Sequence, residues 1–380
     1  MGVAGSPQTN SVEWLHSGGQ AFPLMLEAIR AARVSVRLEM FIFDAGMPGD
    51  AFLEALVAAA GRGVRVSVLL DALGSSELAD AYWQPLRRAG GELWWFNRFR
   101  SVWAMVRDHR KMLVCDDAVA FLGGFNIAPE YDGDGVVSGW RDTGVRIHGP
   151  VAARLGQLFE GQIRASGERR PWTLRWRRRF EEGNGDDGSA RVLPVSPGRG
   201  LSSLSEALIA DLAKARNATV VTPYFLPSPA IRRALRKAAL RGARVRVVLP
   251  AHSDVRLAQL AARWLYAALL RSGVEILEYE PAVLHAKVFL VDDAVYVGSS
   301  NLDPRSLHLN YEIMLRLEQP EAVAAAGADV MDMVSRSRAI HRDQWAPSRG
   351  GWEKMREWWA FSLLYRLDPW LTGWLTRPGR

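Results

Sequence analysis

The chain is poor in cysteine and in lysine, and it has no long apolar run. A single cysteine, Cys115, in 380 residues excludes an internal disulfide and any cysteine-based zinc cluster. It sits in the apolar run Met112-Leu113-Val114-Cys115, which reads as a buried structural thiol rather than a reactive one. No stretch approaches the roughly 18 uncharged apolar residues that a membrane-spanning helix needs, and the opening MGVAGSPQTNSVEW lacks a secretory apolar core. A soluble or peripheral protein made in the cytosol is therefore expected. The opening also fits the Met-Gly-x-x-x-Ser myristoylation pattern, a short match with meaning only in a eukaryote. There are five lysines, Lys111, Lys214, Lys237, Lys287 and Lys354, so arginine carries most of a net charge of +7. That balance attracts polyanions, either nucleic acid or an anionic membrane surface, without choosing between them.

Two of those lysines belong to a signature that occurs twice. His109-Arg110-Lys111 is followed after four residues by Asp116, and His285-Ala286-Lys287 after four residues by Asp292. Each copy runs on into a glycine-led polar turn, Gly123-Gly124-Phe125-Asn126 and Gly298-Ser299-Ser300-Asn301. The repetition is wider than the motif. Val34-Ser35-Val36 leading to Glu39-Met40-Phe41-Ile42-Phe43 matches Thr219-Val220-Val221 leading to Pro223-Tyr224-Phe225-Leu226, and both are β-branched and aromatic in the manner of strands. In each half a helical stretch then closes on glycine before a buried strand, at Gly63-Val64-Arg65-Val66 and at Gly242-Ala243-Arg244-Val245. Further helices near 78–89 and 255–272 precede short strands at 92–96 and 274–279.

Alternating strands and helices predict an α/β fold, duplicated as two α-β-α layered lobes about a pseudo-twofold axis with the site at their interface. The lobes are expected at 12–165 and 190–345, joined by a basic, aromatic linker at 166–189 and followed by a Trp-rich tail at 346–380.

On a strand, side chains alternate, so His109 and Lys111 share one face, as do His285 and Lys287. Two imidazoles meeting at one phosphodiester can divide the work. One attacks phosphorus to give a phosphohistidine; the other protonates the departing alcohol and then deprotonates the incoming water or alcohol. Lys111 and Lys287, with Asn126, Ser299 and Asn301 as phosphate-binding groups, would stabilise the equatorial oxygens. No metal or other cofactor is called for, because the motifs lack the clustered carboxylates of a two-metal nuclease. Asp116 and Asp292 complete the catalytic signature, although bracing the turn after each strand is an equally good role. A histidine nucleophile needs its tautomer held, and Asp142 and Glu312 stand at matching places after the two motifs as orienting carboxylates. Which carboxylate serves which histidine is open. Glu39 and Tyr224, at equivalent strand ends, are further lining residues. His16, His148, His252, His308 and His341 are left as ordinary core or surface histidines.

These residues resemble the phospholipase D superfamily and, within it, bacterial cardiolipin synthases of the shorter kind without two amino-terminal transmembrane helices. The likeness runs through LEMFIF, RGVRVSVLLDALGS, HRKMLVCDDAVAFLGGFNIAPEY, TPYFLP and HAKVFLVDDAVYVGSSNLDPRSLHLNYE to the Trp-rich tail. It implies a bilobed fold, a covalent phosphatidyl-histidine on His109 with His285 as acid and base, and transfer of the phosphatidyl group from one phosphatidylglycerol to another with release of glycerol. Hydrolysis of phospholipid, or a phosphodiesterase or nuclease of the same superfamily, are the alternatives. The motif aspartate and the loop asparagine are one residue further apart in the first copy, which leaves the placement of Asn301 open.

Three flanking stretches mix aromatic and basic residues: Trp94 to Trp103, Arg164 to Phe180, and the tail, where Trp352, Met355, Trp359, Leu363 and Leu367 recur at helical spacing. They suit the headgroup region of an anionic bilayer, so the expected partner is a phosphatidylglycerol-containing membrane on the cytoplasmic side, bound peripherally, rather than nucleic acid. For the tail helix, packing on the lobes as core is the competing expectation.

Overall fold

The computed structural model describes residues 10–98, 106–167, 188–198, 200–345 and 347–367. The aromatic and basic stretches around Trp103 and Trp172 lie largely outside the described residues.

Two mixed sheets carry the fold. The first contains β1 (Ser11–Leu15), β2 (Ser35–Met40), β3 (Arg65–Asp71), β4 (Glu92–Phe96), β5 (Met112–Cys115), β6 (Val119–Gly123) and β7 (Gly144–His148), in the order β1-β7-β6-β5-β2-β3-β4. The second contains β8 (Ala190–Val195), β9 (Asn217–Val221), β10 (Arg244–Pro250), β11 (Glu275–Tyr279), β12 (Val288–Val291), β13 (Ala294–Gly298), β14 (Glu312–Leu317) and β15 (Ser337–Ile340), in the order β15-β11-β10-β9-β12-β13-β14-β8. Apart from the edge strand β15, the two orders are one order written twice. In both, three neighbouring strands run parallel, β2-β3-β4 and β9-β10-β11, and the motif hairpin joins antiparallel.

Strand alternation sorts the core into three layers. In β5, Met112 and Val114 point inward to a core shared by both lobes, while Leu113 and Cys115 point outward. In β13, Val295 and Val297 point inward and Tyr296 outward. The shared layer also takes the apolar stripes of the Pro150–Gly167 helix (Val151, Leu155, Leu158) and the Pro320–Ser335 helix (Ala322, Ala326, Val330). The outer faces are covered by Gly18–Ala31 and Gly49–Gly61 in the first lobe and by Ser203–Lys214, Pro229–Leu240 and Arg256–Leu270 in the second. Serine caps set several of these helix starts: Ser17, Ser202 and Ser228 each accept a backbone N–H three residues on. Burial pushes the Cys115 thiol up to about 12, as expected for an inert core cysteine.

The tail helix, Gly351–Ser362, lies on the Arg256–Leu270 helix and buries Ala360 and Phe361 in the second lobe's outer core. Its opposite stripe stays out: Trp352 is 66% exposed, Trp359 59%, and Met355 and Leu363 42% each. Packing on the lobes thus holds for one face of the tail, and the other face is exposed.

Each motif hairpin turns on its aspartate. Asp116 has a left-handed φ of 57° and its carboxylate accepts the backbone N–H groups of Arg33, Val34 and Ser35 at 2.8–2.9 Å. Asp292, at φ 46°, does the same for Arg216 and Asn217. The one-residue difference between the copies is absorbed here: residues 116–118 link β5 to β6, whereas 292–293 link β12 to β13. The asparagine turns at the other end are therefore not displaced.

Burial opposes ionisation of Asp116, but the three amides outweigh it and hold the carboxyl below its ordinary range. Asp116→Ala leaves those donors unpaired and should lower the unfolding free energy by about 1–3 kcal/mol near neutral pH. A carboxyl lowered in the folded state contributes above the ordinary carboxylate range and loses that contribution as pH falls through the lowered value, so the gap between wild type and variant should narrow below about pH 4. Denaturant midpoints measured from neutral pH into acid check this; a variant as stable as wild type at neutral pH would remove the bracing role.

Candidate active site

Both histidines stand just ahead of their strands, not within them. β5 begins at Met112 and β12 at Val288, so His-x-Lys occupies the extended run that enters each sheet. What holds that run is the other lobe. His109 N–H donates to the Tyr311 carbonyl at 2.9 Å, and Tyr311 N–H to the Arg107 carbonyl at 2.8 Å. In mirror fashion, His285 N–H donates to the Arg141 carbonyl at 2.7 Å, and Arg141 N–H to the Val283 carbonyl at 2.8 Å. These are two short parallel bridges, Asp108 with Tyr311 and Arg141 with Leu284. Strand register makes Arg141 and Tyr311 equivalent, so each lobe grips the other by the same device.

The residue after each bridge is the orienting carboxylate, and the pairing crosses the lobes. Glu312 Oε2 lies 3.0 Å from His109 Nδ1, and Asp142 Oδ2 lies 2.6 Å from His285 Nδ1. Occupied Nδ1 atoms leave Nε2 as the reactive nitrogen of each ring. Aromatic side chains fix the rings further: Phe41 packs edge-on to His109 with centroids 4.7 Å apart, and Tyr131 edge-on to His285 at 5.3 Å.

The glycine turns differ in a way that matters to these carboxylates. A side chain at Gly124 would meet Asp142 Oδ1 at 2.1 Å, so glycine there makes room for the acid. Its counterpart Ser299 donates its hydroxyl to Glu312 Oε2 at 2.6 Å and accepts Ile313 N–H at 3.0 Å. Ser299 is thus spent on Glu312 and does not face the cleft, contrary to the expected phosphate contact. Asn126 bridges Ile42 N–H and the Tyr131 hydroxyl, while Asn301 keeps a buried Oδ1 with no hydrogen-bond partner among the described residues.

His109, His285, Asn126, Asn301 and Tyr224 all line one cleft of about 580 Å³ between the lobes. The lysines lie against the imidazoles, Lys287 also within 3.1 Å of His285 Nε2. Lys111 donates to the His109 carbonyl at 2.6 Å and sits 5.1 Å from the Phe41 ring; Lys287 is 2.6 Å from His285 Nδ1 and 3.7 Å from Asp142. Burial pushes Lys111 down to about 7, Glu312 pulling against it and Lys287 adding to it. Burial and then Lys287 push His285 down to about 4, and burial lowers His109 against the pull of Glu312. Without an anion between them, both imidazoles are therefore neutral at pH 7.

Three other expectations are corrected. Asp116 and Asp292 sit at the far ends of β5 and β12, holding backbone amides, and neither lines the cleft. Glu39 is 1% exposed and 2.5 Å from the guanidinium of Arg110, away from the cleft; burial raises its carboxyl well above the ordinary value against the pull of Arg110. Nor are Glu39 and Tyr224 equivalent. The register pairs Val36 with Cys115 and Ala218 with Val291, which matches Glu39 to Val221 and Ile42 to Tyr224. Tyr224 does line the cleft, its hydroxyl donating to Asp254 at 2.5 Å. Residues that pattern reading passed over are Arg107, Tyr131, Trp140, Asp254 and Arg305, all on the cleft wall. The matching triplets Trp140-Arg141-Asp142 and Asn310-Tyr311-Glu312 held the signal for the bridges.

Comparison with known proteins agrees with this geometry. A family model described as "Cardiolipin synthase, PLD-like domain" matches residues 25–154 and 208–332, so each lobe carries one copy with one motif. The chain is 32% identical to cardiolipin synthase B of Salmonella typhi over 376 residues, 96% of this chain and 90% of that protein. It is 37% identical to cardiolipin synthase A of Pseudomonas putida (strain W619) over 318 residues, 80% of this chain but 64% of that longer relative. The crystal structure of phosphatidylserine synthase from Haemophilus influenzae Rd KW20 superposes with a TM-score of 0.71 over 90% of this chain and 91% of that one, at 16% identity, which is likeness of fold. With both lobes matched and a relative aligned over nearly its whole length, the chain belongs to the cardiolipin synthase, PLD-like domain family of the phospholipase D superfamily.

Proposed function

We propose that the protein is a phosphatidyltransferase of the cardiolipin synthase type, moving a phosphatidyl group from one phosphatidylglycerol to another and releasing glycerol. The observation that carries this is the pair of imidazoles in one cleft, each held at Nδ1 by a carboxylate of the opposite lobe. In the first step, His109 Nε2 attacks phosphorus, the bond from phosphorus to the leaving glycerol oxygen breaks, and His285 gives that oxygen its proton. In the second, His285 takes the proton of the acceptor's hydroxyl, that oxygen attacks phosphorus, and the P–N bond breaks. Asn126 and Asn301, which line the cleft, and Lys111 and Lys287, which lie against the imidazoles, stabilise the charge on the phosphoryl oxygens.

One asymmetry supports this division of roles. The His109 side chain is 13% exposed and that of His285 6%, so His109 is the more open to a bulky donor.

With phosphatidylglycerol vesicles the protein should yield cardiolipin and glycerol in equal amounts. His109→Ala should abolish an acid-labile lipid–protein adduct, while His285→Ala forms it slowly with an activated leaving group. Efficient cleavage of nucleic acid with no lipid product would sink the lipid reading, and adduct formation that survives only in His109→Ala would exchange the two roles.

The depressed lysine and histidines give a second check. An anion beside Lys111 and His285 favours their charged forms, so their pKa values rise on binding. At about pH 7.5, binding of diethyl phosphate, which does not titrate near neutrality, should be accompanied by net proton uptake. Calorimetry in buffers of different ionisation enthalpy reads this directly; zero uptake or net release would contradict it.

For the membrane we propose peripheral attachment through the tail. No helix among the described residues is long and apolar enough to cross a bilayer. The exposed stripe of Trp352, Met355, Trp359 and Leu363 is flanked by exposed Lys354 and Arg356, and the next residue, Leu364, lines the catalytic cleft. An anionic surface meeting this stripe would present its headgroups at the cleft mouth. Replacing both Trp352 and Trp359 by Ser should weaken binding to phosphatidylglycerol vesicles at least about tenfold, given about 1.5–3 kcal/mol for each large side chain removed from water. Sedimentation with vesicles tests it, and unchanged partitioning would locate the membrane surface elsewhere.

A further inference from the structure

At one pair of matching positions the two lobes line the cleft with different chemistry. The register that matches Ile42 to Tyr224 also pairs Glu39 with Leu69 and Val221 with Val248, which makes Ser75 and Asp254 counterparts. In the first lobe Ser75 is turned inward: it accepts the Phe43 N–H and donates to the Phe41 carbonyl, both at 3.1 Å. Ile42 and Leu73 give that lobe's wall apolar side chains. In the second lobe the counterparts are polar and face the cleft. Asp254 is exposed and lines the wall, and the Tyr224 hydroxyl donates to its Oδ2 at 2.5 Å. Its Oδ1 is only weakly held, by the Ser253 hydroxyl at 3.4 Å. Asp303, also on the wall, is spent on the N–H groups of Arg305 and Ser306 at 2.8 and 3.0 Å, and the Arg107 guanidinium faces Asp71. Asp254 therefore keeps acceptor capacity toward the cleft. It keeps it beside His285, whose ring lies 6.5 Å from that of Tyr224 between centroids. Its charge reaches the site: burial lowers Lys287, with Asp142, Glu312 and then Asp254 pulling against it.

We propose that Asp254, held by the Tyr224 hydroxyl, selects the glycerol headgroup by accepting hydrogen bonds from the hydroxyls that do not react. The inference deepens the phosphatidyl-transfer reading and rests on it. A carboxylate repels a phosphate, so its place on this wall calls for a ligand group that donates. In the two-step exchange the leaving and the entering oxygen each stand in line with His109 Nε2, and His285 serves both. A selector beside His285 therefore meets glycerol twice. The glycerol released in the first step carries two further hydroxyls, and the acceptor phosphatidylglycerol, attacking through its terminal oxygen, keeps the middle one. Hydrogen bonds to a carboxylate are about twice as strong as those between neutral groups. An alcohol of the same length without further hydroxyls, such as 1-propanol, gains nothing from Asp254, and a site built to bond a hydroxyl discriminates against the analogue that lacks it.

The test lets two alcohols compete for one adduct on the full-length protein in phosphatidylglycerol vesicles. Radiolabelled glycerol and 1-propanol are added at equal concentration; labelled phosphatidylglycerol reports the first and phosphatidylpropanol the second. Their ratio does not depend on how much of the protein is folded. Wild type should favour glycerol, and Asp254→Ala should lower the glycerol-to-propanol ratio at least about tenfold, the worth of one charge-assisted hydrogen bond. Asp254→Asn keeps an acceptor oxygen without its charge and should show a smaller fall, which decides the matter if the alanine variant does not fold. An unchanged ratio overturns the selector, whether both products fall together or neither falls. So does a wild type indifferent between the two alcohols, or one that prefers ethanolamine to glycerol, which would give the carboxylate to an ammonium instead. Wild type that forms no product from any alcohol overturns the transfer reading and the selector with it, and that result appears before any variant is compared.

Discussion

Two backbone bridges between the lobes set everything else in the cleft. Each joins the residue before a histidine to the residue before a carboxylate, Asp108 to Tyr311 and Leu284 to Arg141. Because the carboxylate follows its bridge by one position, the bridge delivers Glu312 to His109 and Asp142 to His285. Neither lobe contains a working half-site: each supplies an imidazole that only the other can orient. The ion pairs of Arg141 with Asp329 and Asp332, and the Trp14 N–H donated to Asp329 at 3.0 Å, tie the same seam a layer below. The shared apolar core beneath them makes relative movement of the sheets costly, since inward residues of both would lose their packing together. Rigidity of this kind is what an in-line displacement between two imidazoles requires, where an ångström of misplacement is expensive.

Much of this was legible in the chain. The repeated His-x-Lys-x4-Asp, the matching strand and helix runs and the glycine closures led to two lobes of one design, because binary pattern and turn chemistry are local properties. Asp142 and Glu312 were legible as carboxylates at matching places after the two motifs. Their crossed assignment was not, because matching places cannot say whether a pair closes within a lobe or between lobes. The same limit explains Glu39 and Tyr224. Both end an aromatic strand, but the register that separates Glu39 from the cleft and leaves Ile42 and Tyr224 on it exists only once β2 and β9 are paired with β5 and β12. Asp116 and Asp292 fell to their bland reading for a local reason: an aspartate at positive φ beside three or two free amides is a hairpin anchor before it is anything else.

The duplication holds through the seven strands the sheets share and is broken in chemistry at a few positions. Gly124 against Ser299 is the sharpest. One leaves space for Asp142, the other fills the space and gives Glu312 a hydroxyl donor. Arg110 against Ala286 is another, since only the first motif has a buried guanidinium at that position, paired with Glu39 and Asp108. A symmetric site would offer two interchangeable imidazoles. These substitutions, with Lys287 beside Asp142, leave the two imidazoles in unlike surroundings.

The unoccupied charge balance of the cleft points the same way. Burial holds both imidazoles neutral and brings Lys111 down to about 7, so without an anion the site is short of the proton that the leaving alcohol needs. A phosphodiester supplies the missing negative charge. Its arrival raises the proton affinity of the groups around it, so the acid is made ready by the substrate it will serve. Water alone brings no such charge and cannot ready the acid by itself. On the proposed mechanism, a cleft built on buried lysines and imidazoles gains its acid only when phosphate fills it, which would couple recognition of the anion to the chemistry performed on it.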